Sequence, residues 1–217
     1  MVFPTRMAGL LRSDSLNVFS FNLPGLPPQW KNLRVPITCL SKKNIAPTTY
    51  HDIMEVISWS LRCCATGRFP DSRHDGAAWS TTDNWRAKEA RIRASLGYKA
   101  CLCEVRGDWA FMKEVFGLPA WNERAGICWR CTCTPAEVRD CGPTAAWRTN
   151  RLSHYDLLVR MKANNVPLSP LFRAPWLVAD CFRIDWLHCA DLGADALSDS
   201  VCVCLGLRVQ CVYTICV

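Results

Sequence analysis

The sequence predicts an α/β domain, because neighbouring segments in the middle of the chain carry the patterns of a helix, a strand and a second helix in that order. The helical patterns occupy residues 84–97 and the residues after Gly107, and the strand pattern occupies 99–106. The composition agrees with a packed fold. Of 217 residues, 50% are hydrophobic and 21% are charged, and the ten tryptophans need burial or a stacking partner.

The first helix is expected over residues 50–65, after a lead-in over 1–35 that its prolines make irregular. Thr49 and Asp52 have the spacing of a capping box. The apolar residues of this helix recur every three or four positions: Ile53, Ile57, Leu61 and Cys64. Gly67 is a natural end for the helix.

The second helix, at 84–97, has Asp83 as its expected cap. Its apolar face is expected to comprise Trp85, Ile92 and Leu96. The strand at 99–106 (KACLCEVR) lies between Gly97 and Gly107. A third helix is expected to begin after Gly107 and to stop at Gly117.

The second half of the chain is less regular. Residues 119–150 are predicted to form a Cys/Trp-rich loop insert, and helices are expected at 153–164 and in RIDWLHCADLGADAL. The C-terminal segment 198–217 is apolar and rich in cysteine. It is either a hairpin that turns at Gly206 or sequence foreign to the domain.

The charge of the chain permits contact with nucleic acid but does not demand it. The formal net charge is +7, from 26 basic and 19 acidic residues, and the basic residues are scattered. The densest basic cluster is Arg86, Lys88, Arg91 and Arg93. At about 100° per residue these side chains surround a helix, so a solvated helix is favoured over a phosphate-binding patch.

The cysteines are expected to be reduced thiols in an intracellular protein. Their number, 15, is odd, and the N-terminal segment does not resemble a signal peptide because Arg12 and Asp14 interrupt its apolar residues. No run of about 18 apolar residues predicts a membrane-spanning helix, so no membrane partner is expected.

Cys128 and Cys131 have the spacing of a zinc half-site, since two thiolates two residues apart can converge on one ion. Two further ligands are needed, and the available side chains are Cys133, Cys141, His154 and His188. A redox pair would instead lie at a strand-to-helix corner. Ordinary buried thiols remain the third interpretation.

Carboxylates and imidazoles form three further candidate sites. Asp108 follows the predicted strand and precedes a helix, where it is either a ligand-binding carboxylate at the strand end or a helix cap. Asp185 and His188 are three apart, so on a helix they would share a face and could meet one metal. His74 and Asp75 are adjacent and point apart, which favours a polar turn over a general base.

Taken in order, the segments GDWAFMKEVFGLPAW, GICWRCTC, SPLF and DWLHCADLG resemble the central part of eukaryotic DNA transposases with an RNase H-like fold, including CACTA-like families. The chain is also similar to uncharacterised multicopy proteins of protist genomes. The resemblance covers residues 35–197 and is strongest over 98–197. It implies a transposase-like α/β region over 36–197 that is a partial RNase H-like domain.

The resemblance also implies roles for individual residues. Asp108 matches the second acidic residue of the catalytic triad, Cys128 and Cys131 match a zinc-type insert, and Asp185 with His188 matches an Asp-x-x-His metal motif. His188 is the first choice for a third zinc ligand. In the family three carboxylates hold two Mg²⁺ ions.

The first and third carboxylates of that triad have no convincing counterpart in this chain, so Mg²⁺ is expected only if the site is complete. The sequence therefore predicts a transposon-derived fragment without catalytic activity by itself, intracellular and, by resemblance, nuclear, with weak DNA binding. The alternative is a zinc-stabilised module that binds DNA or protein. A cysteine-based hydrolase or oxidoreductase has no supporting constellation.

Overall fold

The structure, a computed structural model, describes residues 16–23, 34–120, 122–123 and 126–184. Within these ranges the chain is a mixed α/β structure, which confirms the predicted class in its general form. The described strands form two separate sheets of two strands each. No helix in these ranges is long and apolar enough to cross a membrane.

The first sheet pairs β1 (Leu16–Phe21) with β2 (Val35–Ser41) in antiparallel register. Phe19 points inward from β1, is 5% exposed, and meets the ring of Phe111 edge-on with centroids 5.6 Å apart. The lead-in that the prolines predicted to be irregular therefore contains a regular strand. Phe19 of this strand is buried against Phe111, which is far away in sequence, and local turn signals do not reveal such a contact.

Helix α1 spans Thr49–Thr66 and ends at Gly67, as expected. Gly67 has φ 66°, the left-handed conformation that favours glycine at this position. The predicted capping box is wrong, because Thr48 is the N-cap residue and makes no side-chain capping bond. The Thr49 hydroxyl instead accepts a hydrogen bond from the amide of Ala46 at 2.9 Å.

Helix α2 spans only Asn84–Arg91, shorter than the predicted helix at 84–97. Arg93 adopts φ 48°, and the next residues pair with the chain that follows α1. Leu96 donates its amide hydrogen to Gly67 O at 2.9 Å. Trp85 and Ile92, predicted to lie on the apolar face of this helix, are 61% and 62% exposed. Long-range backbone pairing has replaced the last turns of the helix, an outcome that local propensity does not predict.

The second sheet pairs β3 (Val105–Gly107) in parallel with β4 (Phe182–Ile184). β3 is shorter than the predicted strand at 99–106, because the residues before Phe182 form a 3-10 turn (Ala179–Cys181) and do not continue the strand. Helix α3 (Trp109–Phe116) follows β3 directly and ends at Gly117, φ 66°, as predicted.

The described part of the predicted insert contains one short helix, α4 (Ala146–Thr149). Helix α5 (His154–Ala163) lies within the predicted 153–164, and Ser153 and Asp156 form a capping box at its start. A 3-10 turn at Pro170–Arg173 packs against α1.

The main core joins α1, α3, α5 and the last described segments. Phe116, 1% exposed, lies at its centre. Its ring contacts three other aromatic rings at centroid distances of 5.1–6.5 Å: Phe111, Phe172 and Phe182. A second buried cluster comprises six residues of the insert: Ile127, Cys128, Cys131, Cys133, Ala145 and Trp147. The insert thus has a small core of its own, formed largely by cysteine.

Candidate metal-binding knuckle

Residues 127–133 form a tight loop, which we call the knuckle. Ile127 donates its amide hydrogen to Cys133 O at 3.3 Å and closes the loop. The far side of the loop pairs with the chain after α4, where Leu152 donates to Arg130 O at 3.0 Å and Cys131 forms an antiparallel bridge with Arg151. These backbone bonds hold the two cysteines of the C-x-x-C sequence on one rigid turn.

The side chains of Cys128 and Cys131 converge, and the Cys131 thiol donates a hydrogen bond to the Cys128 sulfur. The amide of Arg130 also donates to Cys128 Sγ, at 3.3 Å. The backbone amide of Cys133 acts to lower the pKa of the Cys131 thiol, although the Cys128 thiol and burial, which raise it, have the larger effects. Amide hydrogens directed at sulfur stabilise negative charge there, which is what a thiolate ligand of a metal requires.

The two thiols have pKa values shifted in opposite directions. The hydrogen bond from Cys131 lowers the pKa of Cys128 to about 6, with help from the Arg130 amide and its positive charge and against the effect of burial. The pKa of Cys131 is raised, because its proton is held in that bond and because the side chain is buried. At neutral pH the pair therefore holds one proton and one negative charge.

Arg130 was missed by the sequence analysis, although it lies between the two cysteines. Its side chain is only 16% exposed, and its Nε donates to Asp180 Oδ1 at 2.6 Å. The ion pair ties the knuckle to the segment that leads into β4. A basic residue inside a C-x-x-C sequence is the signal that could have identified it.

The remaining ligands were expected among four side chains, three of which are described. The thiol of Cys133 is directed to Thr134 O at 3.5 Å, and Cys141 is exposed. His154 packs against Phe172 with ring centroids 6.0 Å apart. Among the described residues no group of three His, Cys, Asp or Glu side chains is arranged to hold a metal. Neither the Cys133/Cys141 closure nor His154 thus completes the site in this arrangement.

Asp185 and His188, the predicted metal motif, lie outside the described residues. The described chain ends at Ile184, which pairs with Gly107 in the β3–β4 sheet.

Asp108 lies at the carboxyl end of β3, as predicted, and is half-buried. It is the N-cap of α3, and its carboxylate accepts a hydrogen bond from the amide of Phe111 at 2.6 Å. Capping thus accounts for the residue type at this position. The catalytic role implied by the resemblance stays a prediction.

Two tryptophans connect this strand end to the knuckle. Trp109, which follows Asp108, meets Trp129, which follows Cys128, edge-on with ring centroids 5.7 Å apart. The motifs GDW and CWRC, twenty residues apart in sequence, are therefore neighbours in space.

His74 and Asp75 form a polar turn, as expected. The Asp75 carboxylate accepts from the Ala77 amide at 3.0 Å and lies 3.5 Å from the guanidinium of Arg73.

Comparison with protein-family models, with curated proteins and with solved structures gives no match. The chemistry of the knuckle is therefore judged from its own residues. Two neighbouring thiols, one with a lowered pKa and an amide hydrogen bond to its sulfur, form a pair of soft donors, and thiolate sulfur is a common ligand of zinc.

Proposed function

We propose that this chain is a metal-stabilised binding module in which Cys128 and Cys131 give two thiolate ligands to a structural zinc ion. The observation that carries the proposal is that the two thiols interact on a loop closed by backbone hydrogen bonds, where the Arg130 amide also donates to Cys128 Sγ. A structural zinc ion takes four ligands and stabilises the fold that holds them. In this chain it would hold together an insert whose small core contains few large apolar side chains.

The other two ligands are proposed to come from the chain after Ile184. His188 is the first choice for the third ligand, and Asp185 is the next candidate. Ile184 pairs with Gly107, and Trp109, two residues after Gly107, packs on Trp129 beside Cys128. His188 is four residues beyond Ile184 in sequence, and this closeness to a segment that contacts the knuckle through β3 and Trp109 supports the assignment of His188.

The transposase-like origin is part of the same proposal. One observation that supports it is the proximity of GDW and CWRC, two of the segments that carry the resemblance. The other is the parallel pairing of β3 with β4. Asp108 follows β3 in sequence, and Asp185 follows β4. A partial RNase H-like domain would have this pair within a larger sheet. Catalysis is not part of the proposal, because two-metal chemistry needs several carboxylates and Asp108 is engaged as a helix cap.

Weak, salt-sensitive DNA binding and a nuclear location belong to the proposal through the resemblance. The net charge of +7 supports attraction to phosphate. Protein binding is the alternative, and the two differ in their dependence on salt, because release of counterions from DNA makes its binding fall steeply as salt rises.

Zinc content is the test of this function. The protein is purified under reducing conditions without chelator, and its zinc is measured by mass spectrometry. We expect about one zinc ion per chain in the wild type, with loss in Cys128→Ser and Cys131→Ser. Cys141→Ser is the matched control, since Cys141 is an exposed cysteine of the same insert, and it should retain the metal.

Two further results refine or contradict the proposal. Loss of zinc in His188→Ala would support that residue as a ligand. Because the cysteine pair holds one proton at neutral pH, zinc binding to metal-free protein should release about one proton from this pair, measurable in weak buffer. A double Cys128→Ser/Cys131→Ser variant with as much zinc as the wild type would disprove the assignment.

A further inference from the structure

A cleft of about 380 Å³ opens between α1 and the loop that leads into α2. It combines two indole rings with two guanidinium groups, an imidazole and a carboxylate. The lining residues are Trp59, Arg73, His74, Trp79, Asp83 and Arg86. None of them belongs to the knuckle, and the sequence analysis assigned none of them a binding role.

The aromatic wall of the cleft is fixed in place. The rings of Trp59 and Trp79 are 6.2 Å apart and inclined at 59°. Trp79 donates its indole N–H to Pro70 O at 3.1 Å. The ring of Phe69 packs against that of Trp79, with ring centroids 5.9 Å apart. Both tryptophans remain half-exposed, so part of the indole surface stays open to a ligand.

The polar wall carries both arginines. Arg86 contacts Asp83 at 3.1 Å, and Arg73 contacts Asp75 at 3.5 Å. Their side chains are 48% and 42% exposed. A guanidinium has five N–H donors, so each arginine retains donors beyond the carboxylate contact described. The Asp83 carboxylate also accepts from the Ser80 hydroxyl at 2.7 Å, so its charge is shared with a second partner.

We propose that this cleft binds a nucleotide unit, with the base stacked on one indole of the Trp59–Trp79 pair and packed against the other at an angle, and with the phosphate held by Arg73 and Arg86. Base faces stack on aromatic side chains, and the planar guanidinium suits the oxygens of a phosphate. An organic cation is disfavoured as the ligand, because the cleft is lined by two guanidinium groups and one carboxylate. A purely apolar ligand would leave the arginines without an acceptor.

The base must be unpaired to reach the indoles, so the ligand is a free nucleotide or one residue of a single strand. A duplex hides the faces of its bases in the stack. The cleft residues are separate from Cys128 and Cys131 in sequence, so absence of zinc from the knuckle would leave this inference standing.

Fluorescence anisotropy of a fluorescein-labelled oligothymidylate of eight residues tests the cleft, with AMP as competitor. We expect binding that Arg73→Gln/Arg86→Gln weakens by about tenfold, because both phosphate donors are lost. The matched control is Lys88→Gln/Arg91→Gln, which removes the same charge from α2 outside the cleft and should change affinity by less than about twofold.

The stacking wall has its own matched pair. Trp59→Leu should weaken binding by about tenfold, whereas Trp176→Leu, a change at another exposed tryptophan, should leave it unaltered. Circular dichroism and thermal unfolding check that each variant is folded. If Trp59→Leu is not, Trp59→Phe, which shortens the stacking face, replaces it and should weaken binding less than tenfold but measurably.

The outcomes separate the sources of the nucleotide. If AMP, measured by competition, binds about as tightly as the oligonucleotide, the cleft is a free-nucleotide site. If the oligonucleotide binds much more tightly than AMP, the cleft is a site for a single strand. Absence of binding for both probes overturns the proposal. Equal weakening by Arg73→Gln/Arg86→Gln and by the control Lys88→Gln/Arg91→Gln also overturns the proposal, since the effect would then be one of net charge alone.

Discussion

Trp109 meets Trp129 edge-on, with ring centroids 5.7 Å apart and planes inclined at 70°. The first of these residues opens α3 and the second lies inside the knuckle. Trp109 is also held by a hydrogen bond from its indole N–H to Pro119 O at 3.1 Å. This contact joins the insert to the start of α3, so a metal bound at the knuckle would stiffen the main domain as well as its own loop.

The ionisation of Cys128 gives the first prediction. In metal-free protein the ultraviolet absorbance of thiolate should rise in a step near pH 6. Cys131→Ala should move that step to higher pH, because the thiol that donates to Cys128 is removed. Cys133→Ala, a change at an equally buried neighbour, is the control. Absence of any thiolate step below pH 8 would contradict the assignment.

The same shift makes stability depend on pH. The pKa of Cys128 is lower in the folded state than in the unfolded chain, so its contribution to stability is present above the unfolded pKa and is lost as pH falls towards about 6. Thermal unfolding of the metal-free protein should therefore show a midpoint that decreases from pH 8 to pH 6 more in the wild type than in Cys128→Ser. Parallel curves would count against a folded-state thiolate.

Arg130 and Asp180 give a second prediction. Arg130→Gln should raise the pKa of Cys128, since the positive charge of Arg130 helps to lower it, but by less than Cys131→Ala does. Asp180→Asn breaks the same ion pair and leaves the arginine charged, so it should not raise that pKa. A rise of equal size in both variants would mean that the ion pair acts by holding the loop in shape.

Asp108 gives a third prediction, which separates capping from catalysis. Asp108→Ala should lower the free energy of unfolding by about 1 kcal/mol, and Asp108→Asn by only a few tenths, because asparagine also caps helices. Chemical denaturation measures both values. We expect no Mg²⁺- or Mn²⁺-dependent DNA cleavage from the wild type. Robust nicking that disappears in both variants would restore Asp108 as a catalytic carboxylate.

Gly117 gives a fourth prediction. It has φ 66°, and a methyl group there would collide with Val166 Cγ1. Gly117→Ala should destabilise the protein by about 2–4 kcal/mol, from backbone strain and overpacking together. Gly76→Ala is the matched control, since Gly76 has φ 79° and open space around it, and should cost about 1 kcal/mol. Equal costs would mean that α5 and its following turn yield to the added methyl group.

Helix ends were predictable where a local rule applies. Gly67 and Gly117 stop α1 and α3 because the left-handed conformation suits glycine, and that preference is carried by the residue itself. The extent of α2 was not predictable. Its last expected turns are replaced by pairing of residues 94–96 with the chain after Gly67, and the energy of that pairing depends on distant residues.

The candidate site was predictable in part. The spacing of Cys128 and Cys131 identified the pair, since two side chains so close in sequence can lie on one turn whatever the rest of the fold does. The sequence did not reveal which thiol has the lowered pKa, because that depends on the positions of the neighbouring thiol and backbone amides. It also did not reveal that Asp180 binds Arg130, because Asp180 lies 50 residues away in sequence.

The sequence by itself determined the α/β class, the stops of α1 and α3, the start of α5 and the cysteine pair, all of which rest on residues within a few positions of each other. Tertiary structure alone decided the contact of Trp109 with Trp129, the depressed pKa of Cys128 and the assembly of the Trp59–Trp79 cleft with its two arginines. The physical reason is range. Capping and turn preferences act through adjacent dihedral angles, whereas ring contacts, desolvation and hydrogen bonds to sulfur exist only after distant segments have packed together.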